Sequence, residues 1–204
     1  MNQNIRYSLP WLLLGLVLTF AVPSIASLLP EKDLSSWNVL YLLPTFGFGL
    51  WGLSWPYRKQ KAGALLFDAG RTWQNKILFW VGIVESGVAT FVTWLSIERM
   101  IASPTTVERL LQMPRVIFWW TIAILLLSLG LSKLELRKNG FCFLYTFLPW
   151  RRVSAYSWEP SQPDVWTVRV RRRLLLWSNL ISIRVPREGR DEIARIADTY
   201  VSRR

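Results

Sequence analysis

Four long apolar runs dominate the first two thirds of the chain, at residues 9–29, 37–56, 77–97 and 116–132. A helix of about 20 apolar residues crosses the roughly 30 Å hydrocarbon layer of a bilayer. Each run therefore predicts a transmembrane helix, the fourth at the short end. Trp11, Trp37, Trp55, Trp80, Trp94 and the Trp119–Trp120 pair lie towards the ends of the runs, where indole rings settle at the headgroup level. Ser103-Pro104 followed by Thr105 and, three residues on, Glu108 has capping-box spacing and predicts a short helix through Leu110, Leu111 and Met113 on the outer surface. Gly47, Gly49 and Gly52 offer positions at which a second helix can approach closely; loose packing near a helix end is the alternative. The first run also fits a signal peptide, with Arg6 as its charged start and Ser24-Ile25-Ala26 as a cleavage signal, and cleavage leaves the other crossings unchanged.

After Ser132 the pattern changes from continuous runs to alternation. Leu134 and Leu136, then Asn139-Gly140, then Phe141 to Tyr145 predict a hairpin with a type I′ turn at Asn139-Gly140. Val153 to Trp158 reads as a third strand, closed by Pro160 to Asp164. The fourth begins at Val165, with Trp166, Val168 and Val170 on one face and Thr167, Arg169 and Arg171 on the other. A fifth, from Leu180, puts Ile181, Ile183 and Val185 on one face and ends at Pro186. From about Arg190, Ile193, Ile196, Ala197, Tyr200 and Val201 recur at helical spacing. The expected fold class is a membrane α-helical domain of four transmembrane helices, residues 1–132. A small cytosolic α+β module of about five antiparallel strands and a C-terminal helix follows, residues 133–204.

The stretch from Leu134 to Gly140, then Pro149-Trp150-Arg151-Arg152-Val153, then Tyr156-Ser157-Trp158 resembles an uncharacterised domain family of bacterial membrane proteins. Members of that family place a small pleckstrin-homology-like β module behind transmembrane helices. The similarity covers about the last third of the chain. It implies that fold and a cytosolic position, and it brings no catalytic residues with it. A photosystem assembly factor that joins membrane helices to a basic β domain is a weaker architectural parallel, without matching residues.

Charge adds an orientation. The 204 residues carry 25 Lys and Arg against 13 Asp and Glu, a net charge of +12. From residue 133 onward the balance is 15 against 7. The loop between the second and third runs holds Arg58, Lys59, Lys61, Arg71 and Lys76 against Asp68, whereas the first loop holds Glu31, Lys32 and Asp33. The loop after the third run is mixed. The positive-inside bias then predicts cytoplasmic N- and C-termini; the resemblances imply a bacterial inner membrane, or an internal membrane such as a thylakoid, as the location. With 51% hydrophobic residues and 13 Trp, the composition agrees with a membrane protein. The absence of His removes Ser-His-Asp and Cys-His catalysis and His-ligated metals or haem. The single Cys142 leaves no intrachain disulfide and reads as buried in a strand. No cofactor motif, no small-molecule substrate site and no nucleic-acid-binding module is recognisable.

Two features suggest sites. Glu85 is a carboxylate within the third run; such groups cost at least ~3 kcal/mol to insert and face a bundle interior. It reads as structural glue, through Ser86, Thr90, Thr93 or a partner helix, or as an ion-handling carboxylate. Arg169, Arg171 and Arg173 alternate along a strand with Arg172 between them and Arg184 on the next strand, followed by Leu174 to Trp177. Like charges opposed on a sheet repel, so this stripe calls for an acidic partner or anionic lipid, with Leu174 to Trp177 entering the headgroup zone, or for water alone, with Leu174 to Trp177 continuing the strand into the core. The remaining carboxylates read as turn residues or helix N-terminal charges. The functional expectation is a non-enzymatic scaffold, assembly or regulatory factor docked to a larger membrane complex. A small transporter subunit using Glu85 and a lipid-sensing module are the alternatives.

Overall fold

The computed structural model describes residues 41–171 and 180–201. Helix α1 (Leu42–Leu53) is followed by α2 (Trp55–Lys61) and strand β1 (Leu65–Asp68). Two long helical stretches come next: α3 (Trp73–Ala102), then α4 (Thr106–Leu111) with α5 (Met113–Leu131). Strands β2 (Glu135–Arg137), β3 (Gly140–Phe143), β4 (Thr146–Pro149), β5 (Val153–Glu159), β6 (Gln162–Val170) and β7 (Leu180–Arg184) precede α6 (Arg190–Val201).

Two helical stretches, Trp73–Ala102 and Thr106–Leu131, are long and apolar enough to cross a membrane, with mean hydropathies of 1.6 and 1.8. The apolar runs predict four such helices. The first run lies outside the described residues, and in the second the described helix α1 has 12 residues, ending before Ser54. Pro56, lacking an N–H, sits in the first turn of α2.

Burial along α3 is inverted relative to a soluble helix. Its buried positions are Asn75, Gly82, Glu85, Ala89, Val92 and Ser96, at heptad-like spacing. Its exposed positions include Trp80, Ile83, Val84, Phe91, Trp94, Ile97 and Ile101. Small and polar side chains inward with large apolar ones outward is the arrangement of a helix solvated by lipid. Thr90 and Thr93 hydroxyls donate to the Ser86 and Ala89 carbonyls of their own helix.

The described chain divides into two compact units. One takes residues 41–49 and Ile83–Ile124, the other Leu50–Gly82 with residues 125–171 and 180–201. In the first, Tyr41 packs on Phe118, ring centroids 5.1 Å apart. Trp120 Nε1 donates to Thr93 Oγ1 at 3.0 Å, tying α5 to α3. Thr105 caps α4 as its spacing predicts, accepting from the Glu108 N–H at 3.2 Å.

In the second unit, α3 and α5 meet backbone to backbone. A Cβ on Gly130 would lie 2.5 Å from Phe79 Cα, and one on Gly82 would lie 2.8 Å from Leu127 N. Among the described residues the glycines singled out by sequence make no such contact: no described atom lies within 4 Å of a Cβ on Gly47 or Gly49, and Gly52 meets Leu125 at an ordinary 3.9 Å. Beside this contact Asn75 makes a closed polar network. Its Nδ2 donates to Leu129 O (2.7 Å) and Ser132 Oγ (2.9 Å), and its Oδ1 accepts from the Thr72 N–H and hydroxyl. The α3 start and the α5 end are thereby joined, with an end carbonyl of α5 satisfied.

The described strands number seven, not about five. They form a four-stranded antiparallel sheet, β1-β2-β3-β4, and a three-stranded one, β5-β6-β7. Strand β1 comes from the loop between the second and third runs, so the β-rich part reaches beyond residues 133–204. Leu65–Asp68 is bracketed by Gly63 and Gly70, both at positive φ, and pairs with β2. Lys133 Nζ meets Asp68 Oδ2 at 2.6 Å and Lys59 Nζ meets Glu135 Oε1 at 2.7 Å, while Arg137 donates to Gly63 O. Alternation in β6, β7 and α6 is as expected: Trp166, Val168, Ile183, Ile193, Ile196 and Ala197 join Leu134, Leu136 and Phe141 in one core.

The β2–β3 hairpin exists, but its loop is Lys138-Asn139, and neither residue has positive φ. Gly140 instead opens β3, where a Cβ would fall 2.1 Å from Leu148 O; it is glycine because β4 passes so close. The left-handed pair is Leu144-Tyr145, φ 46° and 56°, in the β3–β4 turn. Such a conformation costs roughly 1–2 kcal/mol per non-glycine residue. Tyr145 stacks on Trp55 at 5.0 Å, and Arg58 Nη1 donates to its carbonyl at 3.1 Å.

The glycine contact makes a sharp prediction. Gly130→Ala should lower the detergent-solubilised protein's melting stability by about 1–3 kcal/mol or more through overpacking, with Gly47→Ala close to wild type; equal melting of the two variants would refute the close approach.

Candidate basic surface

The module's surface cations divide into those already neutralised and those that are not. Glu135 takes both Lys59 and Arg137, Asp68 takes Lys133, Asp164 takes Arg184, and Glu192 takes Arg195. For Asp68, burial pushes the carboxyl up, but the Lys133 hydrogen bond, the Gly70 N–H and Lys59 outweigh it and hold it below its ordinary 3.8.

The sequence pattern sets Arg184 within an unopposed stripe. The structure places it elsewhere: it is ion-paired to Asp164 and lies over the Trp73 ring, 5.7 Å from its centroid. Residue 164 is a strand residue rather than a turn residue, and cross-strand register brings it to Arg184's strand. The free edge of β7 is also occupied. Gln74 Nε2 donates to Ser182 O at 3.1 Å, and Gln74 Oε1 accepts the Arg184 N–H at 3.3 Å. One amide side chain thus imitates a neighbouring strand.

Arg169 and Arg171 are exposed, on the face opposite Trp166, Val168 and Val170. Strand pairing adds a third cation that alternation does not assign to the site. Pro149 leads into a turn of 3-10 helix, Trp150–Arg152, whose Trp150 is buried, with Nε1 donating to Arg137 O at 3.0 Å. The anchored indole leaves Arg151 and Arg152 exposed. The Arg171 N–H donates to Arg152 O at 2.7 Å, and Ser154 Oγ donates to Arg169 O. Arg152, Arg169 and Arg171 therefore share one end of the three-stranded sheet, and among the described residues none has an ion-pair partner. Arg172, Arg173 and Trp177 lie outside the described residues. The signal for Arg152 is the pairing of Val153 with Val170, a register that alternation alone does not reveal.

Glu85 is 3% exposed within α3, as a carboxylate in an apolar helix requires. Cys142 is buried in β3. Burial pushes its thiol up from 9.0 to about 11, Glu135 adding and Arg137 and Lys59 opposing. Beside α6, the Tyr156 hydroxyl donates to Asp198; burial first, then that bond, raises the phenol to about 12.

Residues 132–202, about the last third of the chain, match a family model described as a domain of unknown function, DUF5673. No curated protein and no solved structure matches the chain.

Cys142 supplies a prediction for this region. The raised pKa leaves roughly 100-fold less thiolate in the folded chain near pH 8.5. Iodoacetamide should therefore label Cys142 at least about 50-fold more slowly in the native than in the denatured protein, and comparable rates would place the thiol at the surface. Because folding raises this pKa, stability is unaffected below about pH 9 and declines as pH climbs towards 11.

Proposed function

We propose that the protein is a non-enzymatic integral membrane scaffold, assembly or regulatory factor that offers a basic module to an acidic protein surface in a larger membrane complex. The observation that carries this reading is the cluster of Arg152, Arg169 and Arg171, exposed and without carboxylate partners among the described residues. Guanidinium groups suit planar, bidentate recognition of carboxylates. The lipid-facing character of α3 supports permanent residence in the membrane. We read the chain as four spans with both termini cytoplasmic, so that the arginines face the cytosol, as the positive-inside bias favours.

The β-rich part is, in this reading, pleckstrin-homology-like: four strands, then three, then a C-terminal helix. Its first strand is separated from its second by the α3–α5 helices. A second reading, a transporter subunit, draws on the burial of Glu85 in an apolar helix. Glu85→Gln separates the two, since a protein that keeps its cellular activity with that change does not work through the carboxylate.

The leading reading predicts that crosslinking in intact membranes captures a discrete neighbouring protein. The triple variant R152Q/R169Q/R171Q should reduce that capture at least about tenfold while its melting stays near wild type. A wild-type protein migrating alone in mild detergent, with no crosslinked neighbour, would remove the scaffold reading.

A further inference from the structure

Two open sheets have four outer edges, and three of these are filled, flanked or short. Gln74 occupies the β7 edge, α2 lies beside β4, and β1 is a four-residue strand with a bulge at Leu66 and a charge at Asp68. The fourth is the outer side of β5 (Val153–Glu159), seven residues long. Among the described residues no backbone hydrogen bond reaches it from outside the sheet. Lysine, proline or an inward charge ordinarily deters pairing at such an edge, and β5 has none of these before Glu159. Its register shifts fall at its two ends, so residues 155–158 run in regular pairing with residues 169–166.

Two hydrogen bonds fix which backbone groups face outward. The Arg171 N–H donates to Arg152 O, and the Val185 N–H donates to Asp164 O. Residues 167, 169 and 171 of β6 therefore turn their N–H and C=O groups to β5, and residues 164, 166 and 168 turn theirs to β7. Ala155 and Ser157, the partners of Arg169 and Thr167, bond inward to β6, which leaves Tyr156 and Trp158 presenting their backbone groups to the open edge. The two faces of this edge differ. Tyr156 and Trp158 pack on the core beside α6, with the Tyr156 hydroxyl bonded to Asp198 and Arg190 over the Trp158 ring. Ala155 and Ser157 are exposed on the opposite face, where Ala155 lies directly across from exposed Arg169. Small side chains there leave Arg169 a clear path over β5 to a further strand, two spacings of about 4.8 Å from its own.

We propose that an extended acidic segment of the partner protein adds to β5 as a fourth, antiparallel strand. Its backbone would pair with Tyr156 and Trp158, its carboxylates would meet Arg169 across Ala155 and reach towards Arg152 and Arg171, and its alternate apolar side chains would turn to α6. This inference rests on the acidic-partner reading and specifies how that partner is held.

Fluorescence anisotropy of the full chain in neutral detergent tests it, with a labelled octapeptide of four Glu-Val repeats as probe. Antiparallel addition turns the valine N–H groups to β5 and the glutamate N–H groups to solvent. Wild-type protein should bind the peptide. N-methylation of its valines should weaken binding at least about tenfold, and N-methylation of its glutamates less than about twofold. Ala155→Glu, at an exposed position, should weaken binding at least about tenfold by opposing like charges, with melting near wild type. Absence of binding, equal weakening by the two methylations, or unchanged binding by the Ala155→Glu protein each overturns the proposal. A crosslinked neighbour lost in R152Q/R169Q/R171Q despite equal methylation effects leaves the acidic-partner reading intact and removes only the added strand.

Discussion

Helices in lipid gain nothing from hiding apolar surface from one another, because acyl chains solvate leucine as well as a neighbouring helix does; they hold together only where their surfaces interlock. In this chain the interlocking point is the meeting of Gly82 with Leu127 and of Gly130 with Phe79. Absent side chains let the two backbones touch there. Immediately beyond, Asn75 ties the start of α3 to Leu129 and Ser132 at the end of α5. That spacing sets where the first sheet begins. The Ala69 N–H reaches Leu134 O and the Leu134 N–H reaches Gly70 O, both at 2.9 Å, so the chain entering α3 and the chain leaving α5 are delivered side by side in strand register. The β1–β2 ladder grows directly out of a helix crossing.

Charge is sorted by the same geometry. Bringing β1 beside β2 places a basic loop against Glu135 and brings Asp68 to Lys133, so two carboxylates neutralise three of the nearby cations. Exposed pairs of this sort contribute modestly, about 0–1 kcal/mol each. Their larger effect is on distribution. Asp164 neutralises Arg184, while Arg152, Arg169 and Arg171, without ion-pair partners among the described residues, share one end of the three-stranded sheet.

Periodic features were legible in the sequence because period is a local property. The faces of β6 and β7, the apolar stripe of α6 and the Thr105 cap follow from spacing alone, and the inward Glu85 follows from the cost of a carboxylate in an apolar run. Contacts between distant segments were not. Asn139-Gly140 looks like a left-handed turn, yet the left-handed residues are Leu144 and Tyr145, held by Trp55 and Arg58 from far along the chain. Gly140 answers to a neighbouring strand instead. Leu65–Asp68 is too short to announce itself as a strand without its partner. Arg184 looks unopposed in the sequence because the register that brings it to Asp164 cannot be read from alternation. The close helix contact uses Gly82 and Gly130, single glycines without the clustering that draws attention to Gly47, Gly49 and Gly52.

The position of β1 in the chain has a temporal side. Leu65 pairs with Arg137, about 70 residues later, and at about 5–20 residues per second the ribosome needs roughly 4–14 s to supply that partner. Throughout this interval a Leu-Leu-Phe strand waits with both edges open, while the long apolar helices that separate it from β2 are being made. The sheet closes only after both have been made, so completion of the sheet doubles as a record that synthesis of the intervening hairpin has finished.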